Sequence, residues 1–486
     1  MGEKQLLIIS IITNTPQFTN DIGDVIRLFY GEGSATDTIN STQGKVIHHH
    51  SETNNIWLEY VSVTVEGITK DTKATHLIPT GEIEQKRQLK RLIKLTCYQL
   101  LKELTGKNMP WGCLTGIRPT RLYRQQMDMG LSRKDIRHVF SSIFDVSYAK
   151  IDLLEEIIDT QRPYVQMDSN VCDLYIGIPF CTTRCSYCSF SSGVIGDGKL
   201  VEPYIGALIK EIEEAGILIR ELNWNIRAVY FGGGTPTSIS TLQLARLLET
   251  VQNLGDFQEW TVEAGRPDTL NKEKLLMMKE FPVSRISINP QTMNEITLQR
   301  IGRKHSAIQI VETFELARSL GFDNINMDLI AALPGENLSM FNHTLKAIRQ
   351  LDPESITVHT LAIKRSSRLH EEKYSSESIH EVGKMVELGH QCAHEMGMKA
   401  YYLYRQKYMA DNLENVGFSK ENKICRYNID NMEETVSVIA TGAGAISKYV
   451  IGKEKRILRS PNVSNIDAYI HRIDEMIERK KGIFRN

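Results

Sequence analysis

The sequence predicts an α/β protein: a partial (β/α)6 barrel in the middle, an α+β domain before it and an α/β extension after it. Three observations lead there. From residue 171 onward, short β-branched runs alternate six times with longer stretches at helical spacing, the pattern of a parallel sheet with right-handed crossovers. The first of these strands runs into a C-x3-C-x2-C loop and the second into three consecutive glycines. Both loops therefore fall at the carboxyl ends of strands, where open parallel sheets bind their ligands. Six repeats are too few to close an eight-stranded barrel, so an open three-quarter barrel is expected. The domains are expected at residues 1–165, 166–398 and 399–486.

With 41% hydrophobic and 24% charged residues, the 486-residue chain has the composition of an ordinary globular protein. A net charge of −1 gives no reason to expect nucleic acid or an anionic membrane as partner. No apolar run approaches the length of a membrane span, so no membrane insertion is expected. No basic segment followed by a secretory-length apolar core opens the chain. Cys97, Cys113, Cys172, Cys392 and Cys425 are scattered, which suits a reduced compartment with free thiols. These readings make the protein cytoplasmic and, in the simplest case, a monomer.

In the first domain, residues 6–12 and 56–65 read as strands, and 24–30 as either strand or helix. Residues 31–44 are polar and turn-rich, a loop. A helix is expected from about 83 to 104, because Leu89, Leu92, Ile93, Cys97, Leu100, Leu101 and Leu104 recur at helical spacing. Basic residues crowd its start, read as a solvated face. His48, His49 and His50 resemble a metal tract, but three adjacent residues cannot share one strand face, and a loop is the expected setting. Arg118, Arg121 and Arg124 recur every third residue in a turn-rich stretch. They could receive carboxylates through paired hydrogen bonds, cap helices or pair with acidic neighbours. Ser132 caps a helix with Asp135 at its third position, a further helix covers 150–160, and 161–163 form a hinge.

The central strands are expected at 172–178, 227–231, 259–263, 285–289, 324–329 and 355–361. The helices between and after them are expected at 201–220, 241–254, 272–280, 307–320, 340–351 and 378–395. Cys181, Cys185 and Cys188 follow the first strand. Three thiolates on one tight loop hold three irons of a four-iron cluster and leave the fourth open to a small molecule. A zinc site would want a matching ligand pair nearby, and none is there. With 8 cysteines in the chain, chance produces such a spacing roughly 0.2% of the time, so coincidence among buried thiols is the weaker reading. Gly232, Gly233 and Gly234 after the second strand let backbone approach a ligand with no Cβ in the way. Glu263, Asn289, Gln291 and Asp328 lie at or just beyond the ends of the next three strands. A bound polar ligand is the economical reason for burying such groups there.

The spacing of Cys181, Cys185 and Cys188 resembles the signature of the radical S-adenosyl-L-methionine (SAM) enzymes. Residues 175–190, 232–236, 285–291, 301–305 and 328–336 together resemble their oxygen-independent coproporphyrinogen III oxidase group. Residues 115–120, 263–268 and 401–407 look like its HemZ type, which is coproporphyrinogen dehydrogenase-like. The resemblance implies a partial (β/α)6 radical SAM barrel, a [4Fe-4S] cluster on the three cysteines, and SAM. It implies oxidative decarboxylation of two propionates of coproporphyrinogen III to vinyls, giving protoporphyrinogen IX in porphyrin (haem) biosynthesis. A 5′-deoxyadenosyl radical would take the hydrogen, and a donor such as flavodoxin or ferredoxin would feed the cluster. By the same resemblance, Tyr175, Gly233 and Glu263 contact the SAM at the cluster. Tyr187, Gly234, Thr235, Gln291, Arg303, Asp328 and Ala362 would contact a second SAM. No residue is singled out as catalytic.

Two departures bear on the reaction. Phe190 stands where the oxidase has a further cysteine, which brings the local motif closer to the haem chaperone branch. The chaperone's histidine-containing haem motif is also missing, since residues 425–431 hold no histidine; Cys425 there is either a haem ligand or a packed thiol. A haem-binding chaperone and a radical SAM enzyme of another tetrapyrrole therefore stand as alternatives. In the last domain, residues 400–408 read as a Tyr-rich strand, followed by a polar loop through 421. Residues 437–446 read as a strand running into small residues, which either leave space for a ligand or let backbones approach. A single amphipathic helix is expected over 466–479, and this domain is expected to cover the barrel mouth.

Overall fold

The computed structural model describes residues 7–485 except 32, 38–42, 117, 166–169, 365, 373, 375–380, 407–408 and 453–455; at 83 it describes the backbone alone. Residues 6, 32, 38–42, 117, 378–380, 407 and 408 of the stretches discussed above lie outside the described residues. The chain divides into two compact units, residues 1–155 with 411–413, and residues 156–410 with 414–486.

The first unit holds β1 (Ile9–Thr13), α1 (Thr19–Tyr30), β2 (Ala35–Thr36), β3 (Gly44–Thr53), β4 (Ile56–Val65), β5 (Ile68–Leu77) and α2 (Glu82–Thr105), followed by α3 (Pro119–Asp128), α4 (Arg133–His138) and the start of α5 (Tyr148–Gln161). Its sheet runs β2-β1-β3-β4-β5. The ambiguous 24–30 stretch is helical. Ile22, Val25, Ile26 and Phe29 are buried at the i, i+3, i+4, i+7 spacing of one helix face. Ser132 caps α4 as expected, its Oγ accepting the Asp135 N–H at 3.2 Å.

The histidine tract corrects the expected loop: it lies inside β3. His48 and His50 share a face, as residues two apart in a strand must. They meet the two oxygens of the buried Glu59 on β4 at 2.6 and 2.5 Å. The strand was hidden because β-branched residues, the usual signal, give way there to histidine.

The second unit begins in α5. It continues through β6 (Val171–Ile178), β7 (Phe180–Cys181), β8 (Gly193–Val194), α6 (Val201–Glu221), β9 (Asn225–Gly233), α7 (Thr241–Gln252), β10 (Glu259–Val262), α8 (Lys272–Lys279), β11 (Arg285–Ser287), α9 (Glu295–Arg300), α10 (Ala307–Ser319), β12 (Ile325–Ala331), α11 (Leu338–Leu351) and β13 (Ser355–Thr360). After α12 (Arg368–Glu371) and α13 (Val382–Glu395) come β14 (Lys399–Tyr404), β15 (Asn415–Ser419), α14 (Arg426–Glu433), β16 (Ser437–Thr441), β17 (Ile446–Ile451), β18 (Arg456–Pro461), α15 (Ile466–His471) and α16 (Ile473–Phe484).

All six expected strands form, parallel and in chain order, as β6, β9, β10, β11, β12 and β13. The sheet is larger than six. Its order is β14-β15-β13-β12-β11-β10-β9-β6-β16-β17-β18, and its two outermost strands do not pair with each other, so it stays open. Strand β16 joins β6 as a seventh parallel strand. Strand β15 pairs antiparallel with β13 inside the stretch expected to be loop, hidden because Asn415, Gly417 and Ser419 break an apolar pattern. The single helix expected at 466–479 is two, α15 and α16, broken at Arg472 (φ −113°, ψ 24°). Among the described residues no helix is long and apolar enough to cross a membrane.

Leu244, Leu247, Leu248 and Val251 of α7 and Tyr204, Ile205, Leu208 and Ile212 of α6 are buried, as are Leu174 and Ile176 of β6 and Val229 and Phe231 of β9. The small residues after β16 serve close packing. Gly442 has φ +102°, and a Cβ there would lie 2.3 Å from the carbonyl oxygen of Gly177. Gly442→Ala is therefore expected to cost about 2–5 kcal/mol, combining left-handed strain with overpacking, and to lower the thermal midpoint. An unchanged melt would mean that β6 and β16 can part at no cost.

Candidate active site

The cysteine loop is fixed from several sides. β7 pairs with β8 across it, and the Ile195 N–H donates to the Cys181 carbonyl at 2.9 Å. The Thr235 N–H donates to the Phe180 carbonyl at 2.7 Å and the Ser186 N–H to the Ile301 carbonyl at 3.0 Å. Thr182 Oγ1 donates to Asp268 Oδ2 at 2.9 Å, and Arg266 Nη1 to Thr183 Oγ1 at 2.8 Å. Cys181, Cys185 and Cys188 thereby line one cavity of about 520 Å³. Thr235 Oγ1 lies 3.5 Å from Cys181 Sγ. A Cβ on Gly234 would sit 2.6 Å from the Phe180 carbonyl oxygen and 3.0 Å from Cys181 Sγ, so the glycine is what lets the β9 loop lie against the cysteine loop.

These residues fit a four-iron cluster. Three thiols open onto one cavity, and burial raises the Cys188 thiol while its two neighbouring thiols add to the rise. Three thiolates so placed need a cationic centre to balance them. Among the described residues no three His, Cys, Asp or Glu groups converge as a single metal ion would require. A cluster brings its own sulfides and spreads its cysteines over separate irons, so it asks for a wider arrangement than zinc does.

All ten residues expected to contact SAM line this same cavity: Tyr175, Tyr187, Gly233, Gly234, Thr235, Glu263, Gln291, Arg303, Asp328 and Ala362. The strands explain why. Register partners on adjacent strands face the same way, so Tyr175 on β6 and Tyr230 on β9 point into the barrel together, and Asp328 on β12 reaches the same cavity. Tyr175 stacks with Tyr230 and Tyr427 at centroid distances of 6.3 and 6.2 Å, and Tyr230 with Tyr427 at 4.5 Å. Tyr230 donates to Glu263 Oε1 at 2.5 Å. Burial pushes the Glu263 carboxyl up to about 7, the Tyr230 bond works against that rise, and the charge of Asp328 adds to it.

Asp328 goes the other way. Burial opposes its ionisation, but His359 outweighs it through hydrogen bonding and charge, with help from Asn326 and Thr357, and holds the carboxyl below its ordinary value. Asn326 Nδ2 donates to Asp328 Oδ1 at 2.8 Å, and His359 Nε2 stands 3.7 Å from Oδ2. Arg303 Nη1 donates to the Asn289 carbonyl at 2.7 Å and Nη2 to the Tyr187 hydroxyl at 3.2 Å. Gln291 has φ +65°, and its N–H donates to the Asp328 carbonyl at 2.9 Å, so this turn re-aims the chain beside Asp328.

Sequence reasoning missed Tyr230, Arg285, His359, Lys364 and Tyr427 as cavity residues. His359 was reachable. It lies two residues beyond Thr357 on a strand already expected, and strand alternation puts both on the cavity face. Tyr427 was not, because it arrives from α14, far along the chain. Phe190 lines the cavity and is 70% exposed, the usual state for neither a ligand nor a core residue. Cys425 is fully buried, its Sγ 3.3 Å from Glu259 Oε1, with burial first and Glu259 second raising its thiol; it is a packed thiol. The residues weighed as sites at 48–50 and at 118, 121 and 124 belong to the first unit and do not line this cavity.

A family model for the radical SAM superfamily matches residues 175–348. The oxygen-independent coproporphyrinogen-III oxidase-like protein HemZ of Bacillus subtilis is 38% identical over 434 residues, 86% of this chain and 87% of that protein. The heme chaperone HemW of Bacillus subtilis is 37% identical over 193 residues, 39% of this chain and 50% of its own length. Among solved structures, the coproporphyrinogen III oxidase HemN of Escherichia coli aligns with a TM-score of 0.52 at 20% identity. That alignment covers 65% of this chain and 72% of the other, and at such identity it speaks for the fold.

Proposed function

Because the chain belongs to the oxygen-independent coproporphyrinogen-III oxidase-like group of the radical SAM superfamily, we propose that it oxidatively decarboxylates two propionates of coproporphyrinogen III to vinyls, giving protoporphyrinogen IX. The observation that carries this reading is the composition of one cavity. Its wall contains the three cysteines and also the stacked tyrosines 175, 230 and 427, together with Tyr402 and Tyr404, stacked at 6.3 Å. Aromatic faces suit a flat macrocycle, and the polar groups between them suit its carboxylates. Strand β14 and helix α14 bring Tyr402, Tyr404 and Tyr427, which fits a role for residues 399–486 in covering the barrel mouth.

The family's cofactors are a [4Fe-4S] cluster and SAM, which when bound supply one-electron reduction and hydrogen abstraction. In our assignment Cys181, Cys185 and Cys188 hold the cluster, while Tyr175, Gly233 and Glu263 hold the SAM beside it. Tyr187, Gly234, Thr235, Gln291, Arg303, Asp328 and Ala362 hold a second SAM. Glu263 faces a cationic ligand in this assignment. The Glu263 carboxyl keeps its proton below about 7, so SAM affinity is expected to rise as pH is raised through that value. Binding at pH 6 would expel the proton. Glu263→Gln should flatten the profile in equilibrium dialysis between pH 6 and 8; a profile still rising in the variant would move the titration elsewhere. The same shift acts on stability with a definite sign. The folded carboxyl holds its proton longer than the unfolded one, so the ligand-free protein loses stability as pH rises from about 4.5 to 7.

The test is anaerobic turnover of the reconstituted protein with SAM, coproporphyrinogen III and a strong reductant. A flavodoxin or ferredoxin, the kind of donor proposed for the cluster, would then replace the reductant. Protoporphyrinogen IX formed together with 5′-deoxyadenosine supports the reading; nucleoside with an unchanged tetrapyrrole counts against it. The haem chaperone remains a second reading because Phe190, not a cysteine, faces the cavity two residues after Cys188. Tight haem binding without propionate loss would favour it.

A further inference from the structure

Lys364 follows β13 and lines the cavity that holds the cysteines. Its segment is tied to the cysteine loop. Arg184 Nη2 donates to the Ser366 carbonyl at 2.6 Å, and Ser366 Oγ donates to the Ser189 carbonyl at 3.2 Å. The side chain is half-buried, and among the described residues no acceptor reaches its ammonium. The two carboxylates of the cavity are committed elsewhere, Glu263 to Tyr230 and Asp328 to Asn326 and His359. A half-buried cation that no acceptor meets is retained where an anion arrives to meet it.

We propose that Lys364 is a carboxylate-binding subsite of this cavity. Two carboxylates can occupy it: a propionate of the tetrapyrrole or the amino-acid carboxylate of SAM. The first rests on the function proposed above; the second needs only the cofactor. Arg184, on the same segment contact, is the next cation along the rim.

The test uses the full chain with its cluster reconstituted, comparing wild type, Lys364→Gln and Lys364→Arg. Coproporphyrin III is the tetracarboxylate probe, its tetramethyl ester the uncharged control, and SAM is measured by equilibrium dialysis. Lys364→Gln is expected to weaken either coproporphyrin III or SAM by about 10- to 100-fold, the effect of losing a charge-assisted hydrogen bond. Lys364→Arg should restore most of the affinity, and the ester should bind all three proteins alike. Loss for coproporphyrin III identifies the propionate, and loss for SAM identifies the cofactor carboxylate. Unchanged affinity for both overturns the proposal, as does a change confined to the cluster's reduction potential, which would make Lys364 a counter-charge for the cluster. A wild type that binds SAM but no porphyrin tetracarboxylate weakens the proposed function and leaves the SAM arm decisive. If glutamine unfolds the protein, Lys364→Met is measured with the same two ligands, and unchanged affinity for both coproporphyrin III and SAM overturns the subsite.

Discussion

Cys181→Ala is expected to abolish iron incorporation and SAM cleavage together. Cys181, Cys185 and Cys188 are the three thiols of the cavity, and a cluster that already leaves one iron without a protein ligand cannot lose another and hold. The loss should be visible as absent iron and sulfide after anaerobic reconstitution, an absent charge-transfer absorption, and no 5′-deoxyadenosine. Cys425→Ala is the matched control. Its thiol is buried against Glu259, so iron content should remain while stability falls by about 1–3 kcal/mol. Iron or nucleoside formation surviving in Cys181→Ala would remove the assignment on which every other statement about the site depends.

Asp328→Ala is expected to leave iron content intact and to lower SAM-dependent turnover about 100-fold, the equivalent of roughly 3 kcal/mol for a buried charged acceptor. The carboxylate is held ionised against its burial chiefly by His359, and Asn326 orients it at 2.8 Å, so the site maintains a charge at one fixed place in the cavity. The alanine would leave both neighbours aimed at a void. Iron analysis and turnover on one preparation separate the outcomes. Iron lost along with activity would place Asp328 in the support of the cysteine loop, and turnover equal to wild type would end its assignment to SAM.

The division between what was legible in the chain and what was not follows contact range. The six parallel strands, the helices between them and the cysteine loop are written in periodicity and local spacing, because β6 and β9 to β13 alternate with helices whose buried faces recur every three or four residues. The sheet-end rule then sufficed to point at Gly233 and Glu263, since a strand's carboxyl end is a local property, whereas Asp328, expected near a strand end, lies in the middle of β12. The elements that failed were those whose identity depends on partners. Strand β15, whose polar and apolar residues alternate, is held between β13 and β14, and β3 carries histidines 48 and 50 against Glu59 of the next strand. The break at Arg472 left no proline or glycine to announce it.

By itself the sequence determined the family chemistry: three cysteines at fixed spacing, and a glycine run placed to meet them. Only the tertiary structure decided the electrostatics of the cavity. Glu263, just past β10, and Asp328, within β12, are chemically similar carboxyls on one cavity, yet one is pushed up to about 7 by burial and the other is drawn below its ordinary value by His359. That difference comes from burial around Glu263 and from His359, which β13 brings beside Asp328. A carboxyl's charge in a low-dielectric site is set by what surrounds it in space, which no local stretch of sequence contains.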